Sequence, residues 1–174
     1  MTRLLTVAAI LGGLVLAGLL AGPGGLWLGL TSAATPAQVG DLTKFDRAAH
    51  RTDHDSFFLA PTDMVKADAN APVFQLTLED LQAAWKALMA AQPRLTQVGT
   101  SLNGMQIDYV QRSGVLRAPD LITVRFIPLR SDPATISFST LAVYSRALTG
   151  LTGAGSNAAR VRAWLGQIPG GLEQ

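Results

Sequence analysis

The sequence predicts an α+β protein in which an antiparallel sheet of four to five strands is covered by two helices and preceded by an N-terminal transmembrane helix. Three observations support this prediction: an apolar N-terminal run, two segments with apolar residues at helical spacing, and several alternating segments joined by turn signals. Adjacent strands with short connections favour antiparallel pairing, and two amphipathic helices can cover one face of such a sheet.

The N-terminal run covers residues 4–30, has no charged residue, and is interrupted by only one polar side chain, that of Thr6. A helix needs about 20 residues to cross the hydrocarbon core of a bilayer, so this run is long enough. We therefore assign residues 1–30 to a transmembrane anchor. The alternative is a cleaved signal segment, with Arg3 as its basic start and small residues at 31–34, although the apolar run is about twice the usual signal length.

Basic residues are more numerous after this segment than before it, which by count favours a cytoplasmic domain. We nevertheless expect an N-terminus inside and a domain outside the cytoplasm, in a single-pass protein of the cell membrane. Basic residues between positions 41 and 55 are mixed with aspartates, and translocated domains tolerate such charge. Gly18 and Gly22 match the spacing that lets membrane helices approach closely, and so offer a homodimer contact. The other interpretation is that glycine is simply common in membrane helices.

The composition excludes several function classes. The chain has no cysteine, which rules out disulfides, thiol catalysis and thiolate metal sites. Residues 31–93 contain five basic and eight acidic side chains (net −3), whereas residues 94–174 contain eight arginines and four acids (net +4). No basic run interleaved with aromatic residues is present, so no nucleic-acid partner is expected. The arginines are either solvated strand residues or face an anionic lipid or partner.

Residues 31–71 are interpreted as linker and lead-in, residues 72–169 as a single domain, and residues 170–174 as a tail. The domain begins with a short strand at 73–76. Thr77 and Asp80 then form a variant of the capping box, which predicts a helix that runs to about residue 92. Its predicted buried face contains four residues at helical spacing: Leu81, Trp85, Leu88 and Met89.

Further strands are predicted at 94–98, 105–112, 121–129 and 135–144. Asn103-Gly104 is a strong turn signal. A phase shift of the apolar residues in the last strand predicts a bulge near residues 139–140. A glycine-rich loop at 145–155 leads to a second helix, which Ser156 or Asn157 would cap. Its predicted buried stripe is Val161, Trp164, Leu165 and Ile168.

The glycine-rich loop is the most suggestive motif for a site. It lies between a strand and a helix N-terminus, where backbone amides and the helix dipole favour anions. The candidate ligand-binding residues in and around it are Arg112, Arg146, Gly150, Gly155, Asn157 and Arg160. The alternative is a connection without a ligand, because the glycine order is neither the dinucleotide nor the P-loop pattern.

Other chemistry is weakly supported. His50 and His54 have a metal-like spacing, but we find no third ligand and expect no metal and no cofactor. Asp108 and Asp120 are possible acids or bases, although an exposed strand aspartate and a turn aspartate are the simpler explanation. Because we find no pair of nucleophile and base, we assign no catalytic residue and expect a role that is not enzymatic.

The stretch 141–165, LAVYSRALTGLTGAGSNAARVRAWL, resembles the C-terminal signature of the bacterial domain of unknown function 1499 (DUF1499) family. That signature has a strand, Ser-Arg-Ser-Arg-x-Gly, an Asp-x-Gly pair, and Asn-Arg-x-Arg before a final helix. The segments DSFFLAP, APVFQLTLEDLQAAWKAL and DYVQRSGVLRAPDLITVRFIPL resemble its lead-in, first helix and middle strands, so the resemblance covers residues 55–168. The matching residues are Ser145, Arg146, Gly150, Gly155, Asn157, Arg160, Arg112 and Asp120.

Three positions depart from the signature: Leu148, Gly153 and Ala158 replace an arginine, an aspartate and an arginine. The resemblance implies an envelope-associated protein without an assigned activity. From the whole sequence we expect a membrane-anchored envelope protein whose domain recognises an anionic group, such as a membrane lipid headgroup, or has a structural role. The alternatives are an interaction protein that docks a membrane partner and, with least support, an enzyme that acts on an envelope substrate.

Overall fold

A computed structural model of the chain describes residues 39–50, 54–101, 103–129, 137–151 and 153–172. Residues from Gln38 onward form one compact unit. The predicted anchor at 1–30, the helix pairing through Gly18 and Gly22, and the start of the lead-in lie outside the described residues. Across the described ranges, neither helix is long and apolar enough to cross a membrane.

The predicted α+β class is confirmed, but the sheet is larger than expected. The described chain has two helices, α1 (Leu78–Ala90) and α2 (Ser156–Leu165), and a short 3-10 turn at Leu42–Lys44. Its eight strands are β1 (Ser56–Ala60), β2 (Ala69–Asn70), β3 (Val73–Phe74), β4 (Leu95–Thr100), β5 (Gln106–Arg112), β6 (Pro119–Pro128), β7 (Ser139–Ala147) and β8 (Gly171–Leu172).

The sheet is mixed, not purely antiparallel as predicted. Its strand order is β2-β1-β7-β6-β5-β4, and β3 pairs with both β7 and β8. The difference comes from the segment interpreted as lead-in, because its apolar residues 57–59 belong to a strand. This strand, β1, pairs antiparallel with β7 and parallel with β2.

The predicted bulge in the last strand is wrong. The register between β6 and β7 runs without interruption from Pro128 opposite Ser139 to Asp120 opposite Ala147. The side-chain hydroxyl of Ser139 donates to the carbonyl of Leu76, and that of Thr140 donates to the carbonyl of Pro72. The apolar pattern therefore breaks at residues 139–140 because two buried polar side chains find carbonyl partners, and no extra residue is inserted.

Both helices cover the same face of the sheet, as the sequence predicts. The side chains of Ile122, Val124 and Phe126 on β6 and of Leu141 and Val143 on β7 face the helices and are buried there. The rings of Trp85 on α1 and Trp164 on α2 meet edge to face, with centroids 6.0 Å apart. Together with residues of β5, these side chains form the main hydrophobic core.

Local signals in the sequence explain how α1 and the first hairpin form. The Thr77 hydroxyl accepts a hydrogen bond from the backbone N–H of Asp80 (3.0 Å), so Thr77 is the predicted N-cap, and the Asp80 carboxylate accepts from this hydroxyl (2.7 Å). Gly104 has φ +68° and its N–H donates to the Ser101 carbonyl. This left-handed conformation is open to glycine at little cost, and it closes the hairpin between β4 and β5.

The lead-in from Val39 onward covers part of the opposite face of the sheet. Leu42 and Phe45 are buried there against Phe58 of β1 and Tyr144 of β7. The buried side chain of Gln106 fixes this segment: its carbonyl oxygen accepts from the Leu42 N–H (3.1 Å), and its amide donates to the carbonyl of Val39 (3.3 Å). The lead-in is therefore packed on the sheet from its first described residue.

Trp85 offers a direct test of the packing between the helices and the sheet. Its side chain is fully buried and makes ring contacts with Trp164 and Phe126. We expect Trp85→Ala to lower the free energy of unfolding by about 3–5 kcal/mol, because it leaves a cavity at the centre of the core. Urea titration followed by far-UV circular dichroism measures this, with the exposed neighbour Lys86→Ala as a control that should change stability by less than about 0.5 kcal/mol. Equal effects of the two variants would contradict the assigned core.

Candidate functional site

The glycine-rich loop ends at the N-terminus of α2, and the carboxylate of Asp55 occupies this helix end. Gly155 is the N-cap residue, with φ +77°, and has no side chain to cap the helix. Instead, Asp55 accepts hydrogen bonds from the backbone N–H groups of Gly155 (2.8 Å) and Asn157 (2.9 Å) and from the Ser156 hydroxyl (3.1 Å). The prediction that Ser156 or Asn157 caps this helix is therefore wrong, because the cap is supplied from 100 residues upstream.

Asn157 connects this cap to the sheet. Its side chain is fully buried, and its amide donates to the carboxylate (2.8 Å) and the backbone carbonyl (3.1 Å) of Asp55. Its carbonyl oxygen accepts from the Ser145 hydroxyl on β7 and from the guanidinium of Arg160 (3.0 Å). An unbonded buried amide is costly, so these partners fix the side chain in one orientation.

Arg160 and Asp120 complete the network with an ion pair. The guanidinium of Arg160 donates to the carboxylate of Asp120 and to the Ser145 hydroxyl (3.3 Å). Asp120 is only 3% exposed, so its charge is acceptable there because a cation and hydrogen-bond donors face it. We call Asp55, Asp120, Ser145, Asn157 and Arg160 the polar network.

The charge of Asp55 is stabilised at the helix end. Partial burial of its carboxyl acts to raise the pKa, but the hydrogen bonds from the N–H groups of Asn157 and Gly155 outweigh this and hold the pKa of Asp55 below its ordinary value of 3.8. The positive end of the helix dipole acts in the same direction. Asp55 is therefore ionised at neutral pH, and its negative charge occupies the position that the sequence suggested for an external anion.

The structure divides the sequence-predicted site residues between the two faces of the sheet. Asn157 and Arg160 belong to the polar network on the helix-covered face, and Gly155 gives its N–H to Asp55. The Arg146 guanidinium lies 5.7 Å from the centre of the Tyr144 ring, on the opposite face. Neighbouring strand residues point to opposite sides, so Arg146 and Ser145 cannot share one surface.

Two further predicted residues lie near the strand ends. A guanidinium nitrogen of Arg112 is 3.5 Å from the carbonyl of Arg117, in the connection between β5 and β6. Gly150 lies beside the imidazole of His54: a Cβ added at residue 150 would be 3.5 Å from its Nδ1. The structure does not gather the six candidate residues into one pocket, and a ligand-binding role for them stays a prediction.

The two aspartates considered as acids or bases are both buried, which the sequence did not indicate. Asp108 is 8% exposed and accepts a hydrogen bond from the Thr123 hydroxyl (2.6 Å) on the neighbouring strand. Asp120 is paired with Arg160. Neither is therefore the exposed strand or turn aspartate that the sequence pattern suggested.

The histidines are accounted for by local contacts. The Nδ1 of His50 lies 2.9 Å from the carbonyl oxygen of Asp46, and its ring packs against Phe45 with centroids 4.4 Å apart. Within the described ranges, no three histidine, cysteine, aspartate or glutamate side chains are placed to hold a metal ion.

Comparison with protein-family models, with curated proteins and with solved structures finds no match to this chain.

The residue that organises the site, Asp55, is not among those that the sequence pattern indicated. It lies in the segment interpreted as lead-in, and no local pattern marks it as a cap for a helix 100 residues later. The donors and acceptors of the polar network mostly satisfy one another. This arrangement holds the ends of β1 and β7 against the start of α2, and supplies no exposed nucleophile or base.

We expect the Asp55 cap to give the protein an acid-sensitive component of stability. Because the pKa of Asp55 is lowered on folding, its contribution is present above about pH 4 and is lost as the pH falls through its folded-state pKa. At pH 7, Asp55→Ala should lower the free energy of unfolding by about 1–2 kcal/mol. The exposed Asp63→Ala serves as the control.

The measurement is urea unfolding at a series of pH values between neutral and strongly acidic. Asp41 also has a lowered pKa, through the backbone N–H of Thr43, so the wild type and the variant should both lose stability in acid. The difference between them should shrink as the pH falls. A difference that stays constant would show that the charge of Asp55 contributes nothing.

The ion pair gives a separate prediction. Arg160→Gln should lower the free energy of unfolding by about 3 kcal/mol, because it removes the cation that faces a buried carboxylate. Adding Asp120→Asn to this variant should recover part of the loss. The exposed Arg162, whose guanidinium lies 5.0 Å from the Phe57 ring centre, provides the control Arg162→Gln with an expected loss of about 0.5–1 kcal/mol. Additive losses in the double variant would contradict a coupled pair.

Proposed function

We propose that this chain is a membrane-anchored protein of the bacterial envelope whose folded domain is a non-enzymatic binding or structural module. The proposed topology is single-pass, with the domain outside the cytoplasm. The observation on which the proposal chiefly rests is the uncharged run at residues 4–30, which is long enough for a transmembrane helix.

The connection between this run and the domain is short. The chain is already packed on the sheet at Val39, which is buried and whose carbonyl accepts from Gln106. Only residues 31–38 lie between, and eight residues reach at most about 28 Å. A domain attached in this way would work within a short distance of the bilayer surface.

The resemblance to the DUF1499 family supports the envelope location. Four of the eight residues that match its signature, Asp120, Ser145, Asn157 and Arg160, meet in the polar network. We favour a structural role for the polar network. For the second half of the chain, which is rich in arginine, we favour an anionic ligand. The alternative of an interaction protein rests on the spacing of Gly18 and Gly22 and ranks second.

The intact mass of the native protein tests the anchor. We expect full-length protein in the membrane fraction, resistant to alkaline and high-salt washes and released by detergent. The variant Leu14→Arg, which places a charge at the centre of the run, should reduce membrane retention because a charged residue there is costly. Recovery of a soluble protein whose mass lacks the first 30 or so residues would contradict the proposal and favour a cleaved signal segment.

A further inference from the structure

Three connections meet at one end of the sheet. They consist of residues 93–94 before β4, residues 112–118 from the last residue of β5 to the start of β6, and residues 148–151 after β7, and we call them the loop end. The N–H of Arg112 donates to the carbonyl of Arg94 (3.1 Å), and that of Ser113 to the carbonyl of Ala118 (2.9 Å). The N–H of Leu148 donates to the carbonyl of Pro119 (3.1 Å) at the start of β6. These bonds tie the three connections together.

The loop end exposes most of the large aliphatic side chains that reach solvent. Among the residues that the structure describes, six large hydrophobic side chains are exposed, and four of them belong to this end: Val115 (86%), Leu116 (50%), Leu148 (36%) and Leu151 (48%). Single exposed apolar residues are ordinary, but a concentration at one end marks an interaction surface.

The three connections of the loop end are basic, and Asp55, whose carbonyl accepts from Ala147 beside them, has its carboxylate bound at the N-terminus of α2. The residues of the loop end include Arg94, Arg112 and Arg117 and no acidic residue. Arg94 and Arg117 are exposed and have φ of +56° and +55°, the left-handed conformation that favours glycine. In the described ranges these are the only residues other than glycine with positive φ. The backbone therefore holds two arginines where glycine would be less strained.

We propose that the loop end inserts into the interface of an anionic lipid bilayer. This inference rests on the proposed membrane anchoring and names the surface that meets the lipid. Aliphatic tips that enter the boundary between headgroups and acyl chains, with arginines at headgroup level, are the combination by which peripheral surfaces bind anionic membranes. An anionic lipid surface is a single partner that can accommodate both the apolar side chains and the arginines.

The length of the chain permits this contact. The lead-in enters the domain beside Gln106, at the other end of β5 from the loop end. From Gln106 to Arg112 the strand covers about 20 Å. Residues 31–38 reach about 28 Å, so the connection is long enough for the anchor and the loop end to meet one bilayer.

The absence of cysteine allows a site-specific test on the full chain. Val115→Cys would be labelled with an environment-sensitive fluorophore, and the full chain reconstituted into vesicles of phosphatidylcholine alone or mixed equally with phosphatidylglycerol. Val98→Cys is the matched control, because Val98 is also an exposed valine but lies on β4 outside the loop end. We expect nitroxide lipids to quench the label at 115 in the mixed vesicles and not the label at 98.

Substitutions of Arg117 distinguish the effect of its charge on membrane insertion from an effect on folding. Arg117→Gly relieves the positive φ, so the fold should persist, and it removes one cation from the surface. It should weaken insertion in mixed vesicles about fivefold. Arg117→Lys keeps the charge and should leave insertion nearly unchanged.

Three results would overturn the inference. The first is that the label at 115 is not quenched although the full chain resists alkaline extraction from the vesicles. This result would contradict the insertion of the loop end but not the proposed anchor. The second is equal quenching in neutral vesicles with no effect of Arg117→Gly. The third is shielding of residue 115 only in native membranes that contain protein, which would indicate a protein partner. Full chain that is extracted from every vesicle would instead remove the proposed anchor, and with it the basis of this inference.

Discussion

The rest of the domain depends on one carboxylate at the N-terminus of α2. A helix end leaves backbone N–H groups without partners, and Gly155 has no side chain to satisfy them. Asp55 does so, and through its own carbonyl it also accepts the N–H of Ala147 at the end of β7 (2.8 Å). One residue thus fixes the first long strand, the central strand and the second helix relative to one another. This explains why a segment with the composition of a linker is integral to the domain.

The consequences extend to both faces of the sheet. On the helix-covered face, Asn157 is oriented by Asp55 and in turn holds Ser145 and Arg160. On the other face, Leu42 and Phe45 pack against Phe58 and Tyr144. Because the cap also fixes where α2 begins, it defines the C-terminal boundary of the loop after β7. The other end of that loop is held by the N–H of Leu148, which donates to the carbonyl of Pro119.

The sequence was sufficient where the signal is local. The alternation of Ile107 and Tyr109 with polar neighbours and the capping box of Thr77 predicted which residues face the core and where α1 begins. It was insufficient where partners are distant. The cap from Asp55 and the pairing of β1 with β7 join segments about 90 to 100 residues apart, for which periodicity gives no signal. For the same reason Asp108 appeared exposed, although the side chain is buried.

The residues considered for a functional site fall into two groups, those of the polar network and those of the loop end. Of the residues selected around the glycine-rich loop, those in the polar network bond mainly to one another, so their arrangement is explained by folding alone. The loop end is the opposite case. Its aliphatic side chains are exposed, and glycine at 94 and 117 would be less strained than the arginines there, of which Arg94 also donates to the carbonyl of Arg112. Departures from local preference that folding does not require are expected at functional surfaces. The loop end, more than the polar network, is therefore the part of this domain on which the proposed membrane contact rests.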